Sequence, residues 1–144
     1  MISVNDWRIP LYFGNKWAHV DRLYIIAGGA SLTKEQVQYT KGGVVVGINN
    51  AYQICDWLDV LYACDKKWWE WHNGCPDLPN KTLRVQHMYD TKYRKGDYSA
   101  CYPGINIVVS TGEKGYDDES CKIKHGGNSG YQALHIAIDS GTGS

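Results

Sequence analysis

The stretch "YIIAGGASLTKEQ", residues 24–36, decides the fold class. A continuous apolar run leads directly into two glycines and then into a polar segment with helical character. Uninterrupted apolar residues are typical of a strand that is covered on both faces of a sheet. Thr33 and Gln36 fit a capping box, which predicts that a helix begins after Thr33. The stretch therefore predicts a buried strand, a glycine turn and a helix.

The same alternation continues along the chain. After an irregular lead-in over residues 1–22 and the first strand at 22–27, the pattern predicts strands at 44–49, 59–65, 82–89 and 105–111. Helical patterns lie at 33–43, 66–74 and 128–139, with a short helix or turn at 50–58. The polar segment 90–104 is predicted to be a loop or an excursion, and 112–127 a long polar loop. Strands that alternate with helices indicate an α/β fold with a mostly parallel sheet, in a single domain over 1–144.

Composition excludes several classes of function. Fifteen basic residues balance fifteen acidic ones without a basic block, so nucleic acid is an unlikely partner. No apolar run approaches the ~20 residues that span a bilayer, and the N-terminus lacks the apolar core of a signal peptide. Five widely spaced cysteines without a C-x-x-C pair predict reduced thiols and no metal site. We therefore expect a cytoplasmic protein without a membrane partner.

Candidate ligand-binding residues follow the predicted strands. Ligands of parallel sheets bind beyond the carboxyl ends of the strands, and glycine-containing turns and helix N-termini offer free amides to anions. The residues at these places, which we expect along one edge, are Gly28, Gly29, Ala30, Ser31, Asn49, Asn50, Asp65, Asn128, Ser129 and Gly130. Each also has a simpler explanation, such as a plain βα turn, an Asx turn, a helix cap or close packing of a helix on the sheet.

Two residues are candidates for catalysis. Asp65 ends the third predicted strand, where a carboxylate can bind ribose hydroxyls, hold a metal or act as a base, although it can equally cap the following helix. His125 precedes the last helix and can serve as acid, base or phosphate contact, or simply lie in solvent. Trp68, Trp71 and His72 can stack against a base or sugar, or can pack on the sheet.

The ordered blocks "IIAGGASL", "VVGINNAY", "DVLYACD" followed by "WW" and "H", and "GGNSGYQALHIA" resemble a known group of proteins. They are similar to the archaeal 6-hydroxymethylpterin pyrophosphokinase-like (MptE-like) proteins and to the bacterial lipooligosaccharide sialyltransferases, including short phage-encoded relatives. The resemblance covers about residues 23–140 and implies a three-layer Rossmann-like fold. It also implies a nucleotide or nucleotide-sugar as ligand, held by the glycine turn, Asn49, Asn50 and the start of the last helix, with Asp65 matching the acid of a "Y-A-x-D" block.

The chain departs from this group in two ways. Ala30 stands where the sialyltransferases have proline, and the sequence ends where relatives continue with a strand, an acid and a histidine-bearing region. We therefore expect a short relative whose sheet lacks its C-terminal strand or strands and can form a homo-oligomer through the exposed edge. The leading function is a nucleotide-dependent glycosyl- or diphosphotransferase-like protein, with a nucleotide as ligand and no certain cofactor or metal. The alternatives are a non-catalytic phage protein that sequesters a nucleotide and a structural subunit that reuses the fold.

Overall fold

The computed structural model describes residues 6–11, 17, 19–28, 31–112, 122–123 and 129–137. The strands are β1 (Leu23–Ile26), β2 (Val44–Ile48), β3 (Val60–Tyr62), β4 (Leu83–Tyr89), β5 (Asn106–Ser110) and β6 (Lys122–Ile123). The helices are α1 (Lys34–Gln38), α2 (Lys66–Trp71), α3 (Asp90–Lys95) and α4 (Ser129–Ala137), with a 3-10 helix at Asn49–Gln53.

The sheet contains six described strands in the order β1-β2-β3-β4-β5-β6, and every described pairing is parallel. Helical elements lie between successive strands from β1 to β5, so the predicted α/β fold of Rossmann-like type is confirmed. The strand order follows the chain without a reversal among the described strands. In doubly wound sheets the ligand crevice lies where the order reverses, so other elements must define a cleft here.

Buried clusters cover both faces of the sheet and create three layers. On one face, Val37 of α1, Ala51 of the 3-10 helix and Trp69 of α2 pack into one buried cluster with strand residues. On the opposite face, Ala133 and Ile136 of α4 belong to one buried cluster with residues of β2, β3, β4 and β5. Strands that are buried on both faces need apolar side chains at successive positions, which explains why all five residues of β2 are buried.

A buried polar contact fastens α4 to the sheet. The Tyr62 hydroxyl donates to the Gln132 carboxamide oxygen over 2.5 Å, and both side chains are fully buried. Burial raises the pKa of the Tyr62 phenol well above its ordinary value, so the hydroxyl remains a donor. The contact joins residues 70 positions apart and fixes how α4 lies on β3.

Local signals predict most of the described elements. The capping box is confirmed, since the Thr33 hydroxyl accepts from the Gln36 amide and the Gln36 side chain accepts from the Thr33 amide. The helix α3 was not predicted, since the polar segment 90–104 was expected to be a loop or an excursion, and the prediction of a loop over 112–127 was wrong at the two-residue strand β6. α3 buries none of its residues, so it lacks the apolar periodicity from which a helix is predicted. Every helix among the described residues is too short or too polar to cross a lipid bilayer.

Candidate functional site

The register of the sheet places several predicted residues along one edge. Ile26 pairs with Gly47, and Ile48 pairs with Tyr62, so the chain leaves β1, β2 and β3 at similar heights. Asn49 follows β2 directly, Gly28 is the second residue after β1 and Asp65 is the third residue after β3, and all three are exposed. Strands that are distant in sequence therefore bring these three residues to the same edge.

The remaining predicted residues are only partly described. Ser31 lies in the exposed turn before α1, and a Cβ atom added to Gly28 would meet open space, so neither residue is held by close packing. Ser129 and Gly130 are the first two residues of α4. Gly29, Ala30, His125 and Asn128 lie outside the described residues, so the proposed meeting of the glycine turn with the start of α4 stays a prediction.

A cleft of about 420 Å³ opens at this edge. It is lined by residues that follow β2 and β3 and by residues of α2, namely Asn49, Cys64, Asp65, Lys67, Trp68 and Trp71. Of the predicted site residues, the structure thus brings Asn49 and Asp65 into one concave surface. Lys67 and Cys64 were not predicted, because nothing in their local sequence separates them from ordinary helix and strand residues.

The two asparagines after β2 have different roles. Asn49 begins the 3-10 helix with a φ of 52°, a left-handed conformation that asparagine adopts more readily than most residues. Asn50 accepts a hydrogen bond of 3.0 Å at its side-chain oxygen from the Trp68 indole nitrogen. Asn50 therefore positions a tryptophan of the cleft, whereas Asn49 lines the cleft directly.

An aromatic cluster holds Trp68, one of the residues of α2 that line the cleft. The His72 ring stacks on the Trp68 indole, with 4.1 Å between the ring centroids and 23° between the planes. The Tyr52 hydroxyl lies 2.6 Å from His72 Nδ1, and its ring meets Trp68 edge-on. Together with the bond from Asn50, these contacts hold Trp68 in one orientation, and His72 itself packs inside the cluster.

Asp65 is a carboxylate that lines the cleft. It occupies the position before α2, yet its side chain makes no capping hydrogen bond to the helix, so the predicted alternative role as a side-chain cap is not realised. The carboxylate is exposed and lines the cleft. An exposed carboxylate at this place can accept hydrogen bonds from the hydroxyl groups of a ligand.

A thiol that lines the cleft, Cys64, contacts the imidazole of His87 on β4. Cys64 Sγ lies 3.0 Å from His87 Nδ1, and the same nitrogen lies 2.8 Å from the Cys64 carbonyl oxygen. A carbonyl oxygen can only accept, so His87 Nδ1 carries the proton and donates to it. Burial and the neighbouring Asp65 charge raise the pKa of the Cys64 thiol to about 12. Cys64 is therefore a neutral thiol at physiological pH and not an activated nucleophile.

Another described cavity lies at the opposite, amino end of β1 and β2. It has a volume of about 470 Å³, and its lining includes the basic residues Arg22 and Lys41. Lys41 already lies over the Trp57 ring at 4.5 Å, and Arg22 contacts the Tyr24 hydroxyl at 3.5 Å. Parallel sheets bind ligands at the carboxyl ends, so the 420 Å³ cleft is the better candidate. Among the described residues, no group of three or more His, Cys, Asp or Glu side chains could hold a metal ion.

Comparison of the chain with protein-family models, with curated proteins and with solved structures finds no match. The resemblance to sialyltransferases and MptE-like proteins therefore stays a prediction, and function is argued from the geometry of the cleft.

Proposed function

We propose that this protein binds a nucleotide or nucleotide-sugar in the cleft at the carboxyl edge of its sheet. One observation carries the proposal: an exposed carboxylate, an asparagine, a lysine and two tryptophans line the same concave surface. A nucleotide offers a matching group for each, since its base can stack on indole, its ribose hydroxyls can donate to Asp65 and its phosphate can pair with a lysine. The resemblance to nucleotide-dependent transferases supports the same ligand class.

Transfer chemistry is the second step of the proposal. Transfer of a glycosyl or diphosphoryl group to a hydroxyl acceptor requires a group that takes up the acceptor's proton. We assign this role to Asp65, because it lines the cleft and the neighbouring Cys64 thiol is held protonated. The expected reaction class is therefore a nucleotide-dependent transfer with Asp65 as general base.

Binding without chemistry is the second candidate. It is favoured by the small number of acid–base groups at the cleft: among the described lining residues Asp65 is the one carboxylate, and no histidine lines the surface. A protein of this kind would sequester a nucleotide and release it unchanged.

Thermal shift measurements with CMP, UDP, GDP, ADP-ribose and cyclic nucleotides test the proposal. We expect at least one of these ligands to raise the melting temperature of the protein. We expect Asp65→Asn to lower the affinity for that ligand about 5-fold or more. Asp77→Asn is the matched control, because Asp77 is exposed outside the cleft. Absence of a shift with every ligand would favour a structural subunit and refute nucleotide binding.

Analysis of the ligand after incubation separates the two candidates. Recovery of intact nucleotide, with candidate acceptor sugars present, favours the binder. Hydrolysed or transferred product that disappears in Asp65→Asn favours the transferase.

A further inference from the structure

Two side chains of α2 that line the cleft, those of Lys67 and Trp71, have no polar or ring partner among the described residues. Lys67 forms no hydrogen bond or ion pair with any described residue, and the Trp71 indole likewise has no described hydrogen-bond or ring partner. Trp71 is 71% exposed, although its indole is a large and mostly apolar side chain. The two residues are four positions apart, so they lie one above the other on the same side of the helix.

Other lysine and tryptophan residues of α2 do have hydrogen-bond partners. The Lys66 ammonium donates to the Ser99 carbonyl oxygen over 3.0 Å and lies 3.7 Å from Glu70. Trp69 is fully buried and donates to the Ala63 carbonyl oxygen over 3.0 Å, and Trp68 is bonded to Asn50. The lysine Lys66 and the tryptophans Trp68 and Trp69 of α2 thus have partners elsewhere in the protein. Lys67 and Trp71 do not have such partners among the described residues, and both line the cleft.

We propose that Lys67 and Trp71 form a two-point anchor that selects ribonucleoside 5′-phosphates, with the base stacked on Trp71 and the phosphate bound by Lys67. This inference rests on the nucleotide function proposed for the cleft and assigns the orientation of the ligand within it. An indole face is attractive to any base, because every base has a flat aromatic surface. A lysine without a competing partner supplies a point charge for a phosphate oxygen.

The charge of Asp65 fixes the rest of the orientation. Asp65 is the one carboxylate among the described residues of the lining, and like charges repel, so the phosphate lies nearer to Lys67 than to Asp65. The ribose, which joins the base to the phosphate, then presents its hydroxyl donors to the Asp65 carboxylate. A 2′-deoxy ligand loses one of these donors and is expected to bind more weakly.

The test is a set of affinity measurements on purified variants of the full chain. Isothermal titration with CMP, UMP, AMP and GMP, each beside its nucleoside, is carried out on wild type, Lys67→Ala and Trp71→Ala. Lys66→Ala is the control for loss of a positive charge from α2, and Tyr39→Ala is the control for loss of an exposed aromatic ring, since Tyr39 is 80% exposed outside the cleft.

We expect each variant to affect a different part of the ligand. Lys67→Ala should lower the affinity for the monophosphates about 10-fold and leave the affinity for the nucleosides unchanged, because only the phosphate contact is lost. Trp71→Ala should lower the affinities for monophosphates and for nucleosides alike, by about 10-fold, because both lose base stacking. Neither control variant should change either affinity by more than about 2-fold.

The outcomes separate this inference from the proposed function. If wild type binds nucleotides but Lys67→Ala behaves like Lys66→Ala, or Trp71→Ala behaves like Tyr39→Ala, the anchor is refuted while nucleotide binding stands. If wild type binds none of the monophosphates, the nucleosides or the larger nucleotides, the proposed function itself fails. Circular dichroism of every variant confirms that a loss of affinity is not a loss of fold.

Discussion

Replacement of Arg84 should destabilise the protein more than any other single charge substitution among its described residues. Arg84 lies on β4, and its guanidinium donates to five backbone carbonyl oxygens of the segment that joins α2 to β4. All five of its N–H donors are thereby used. The segment needs this support because Asn73, Gly74 and Cys75 all have positive φ values, of 53°, 72° and 55°. Successive residues in the left-handed region are strained when they are not glycine.

The magnitude follows from the shortest of these bonds. The bonds from Arg84 to the carbonyl oxygens of Cys75 and Leu78 measure 2.8 Å and 2.9 Å, and both acceptor residues are buried. A hydrogen bond to a charged group contributes about 1.5 kcal/mol or more, so these two bonds alone give a loss of about 3 kcal/mol for Arg84→Met. The three longer bonds, at 3.2–3.4 Å, are partly solvated and add little.

Urea denaturation at pH 7 measures this loss. With a denaturant slope of about 2 kcal/mol/M, the midpoint of Arg84→Met should fall by about 1.5 M. Arg84→Lys should lose about half as much, because an ammonium has three donors and no fork. Arg94→Met is the matched control, since Arg94 forms a single exposed ion pair with Asp90 worth about 0.5 kcal/mol or less. A midpoint for Arg84→Met that equals the one for Arg94→Met would refute the reasoning.

Three further predictions follow from the cores and the cleft. In Gly47→Ala the new methyl group would lie 2.6 Å from Leu58 Cδ1 inside the core, so the free energy of unfolding measured in urea should fall by about 1–3 kcal/mol. Addition of Leu58→Val should restore at least part of this loss, and no recovery in the double variant would contradict overpacking as the cause. A double-mutant cycle of Tyr62→Phe and Gln132→Met should give a coupling free energy of about 1 kcal/mol or more, and additive effects would show that their contact does not fasten α4. Because the pKa of Cys64 is raised, the native state retains a proton that the unfolded state loses above about pH 9. The free energy of unfolding should therefore fall as pH rises from 9 towards 12, and it should fall less steeply in Cys64→Ala. Mass-spectrometric mapping after iodoacetamide treatment at pH 8 should find Cys64 unmodified, and rapid modification would contradict a neutral thiol.

Some residues of the candidate site could be predicted from the local sequence, and others could not. The positions of Asn49 and Asp65 after parallel strands predicted that they would meet at one edge, because parallel strands end together. Lys67 could not be distinguished from Lys66 in the sequence, since both begin the same helix. Their difference is the nearby Ser99 carbonyl oxygen, which belongs to a segment 33 residues away and engages Lys66 alone.

The sequence by itself determined the class of the fold, the capping of α1 and most strand positions, because apolar runs and helix caps act between residues that are close along the chain. Only the tertiary structure decided which tryptophan of α2 is buried and which is exposed, why His87 meets Cys64, and how one arginine holds a strained segment. These features depend on which face of the sheet covers a side chain and on which distant carbonyl oxygens lie within reach. Such distances are set when the strands align in register, after the local elements have been specified.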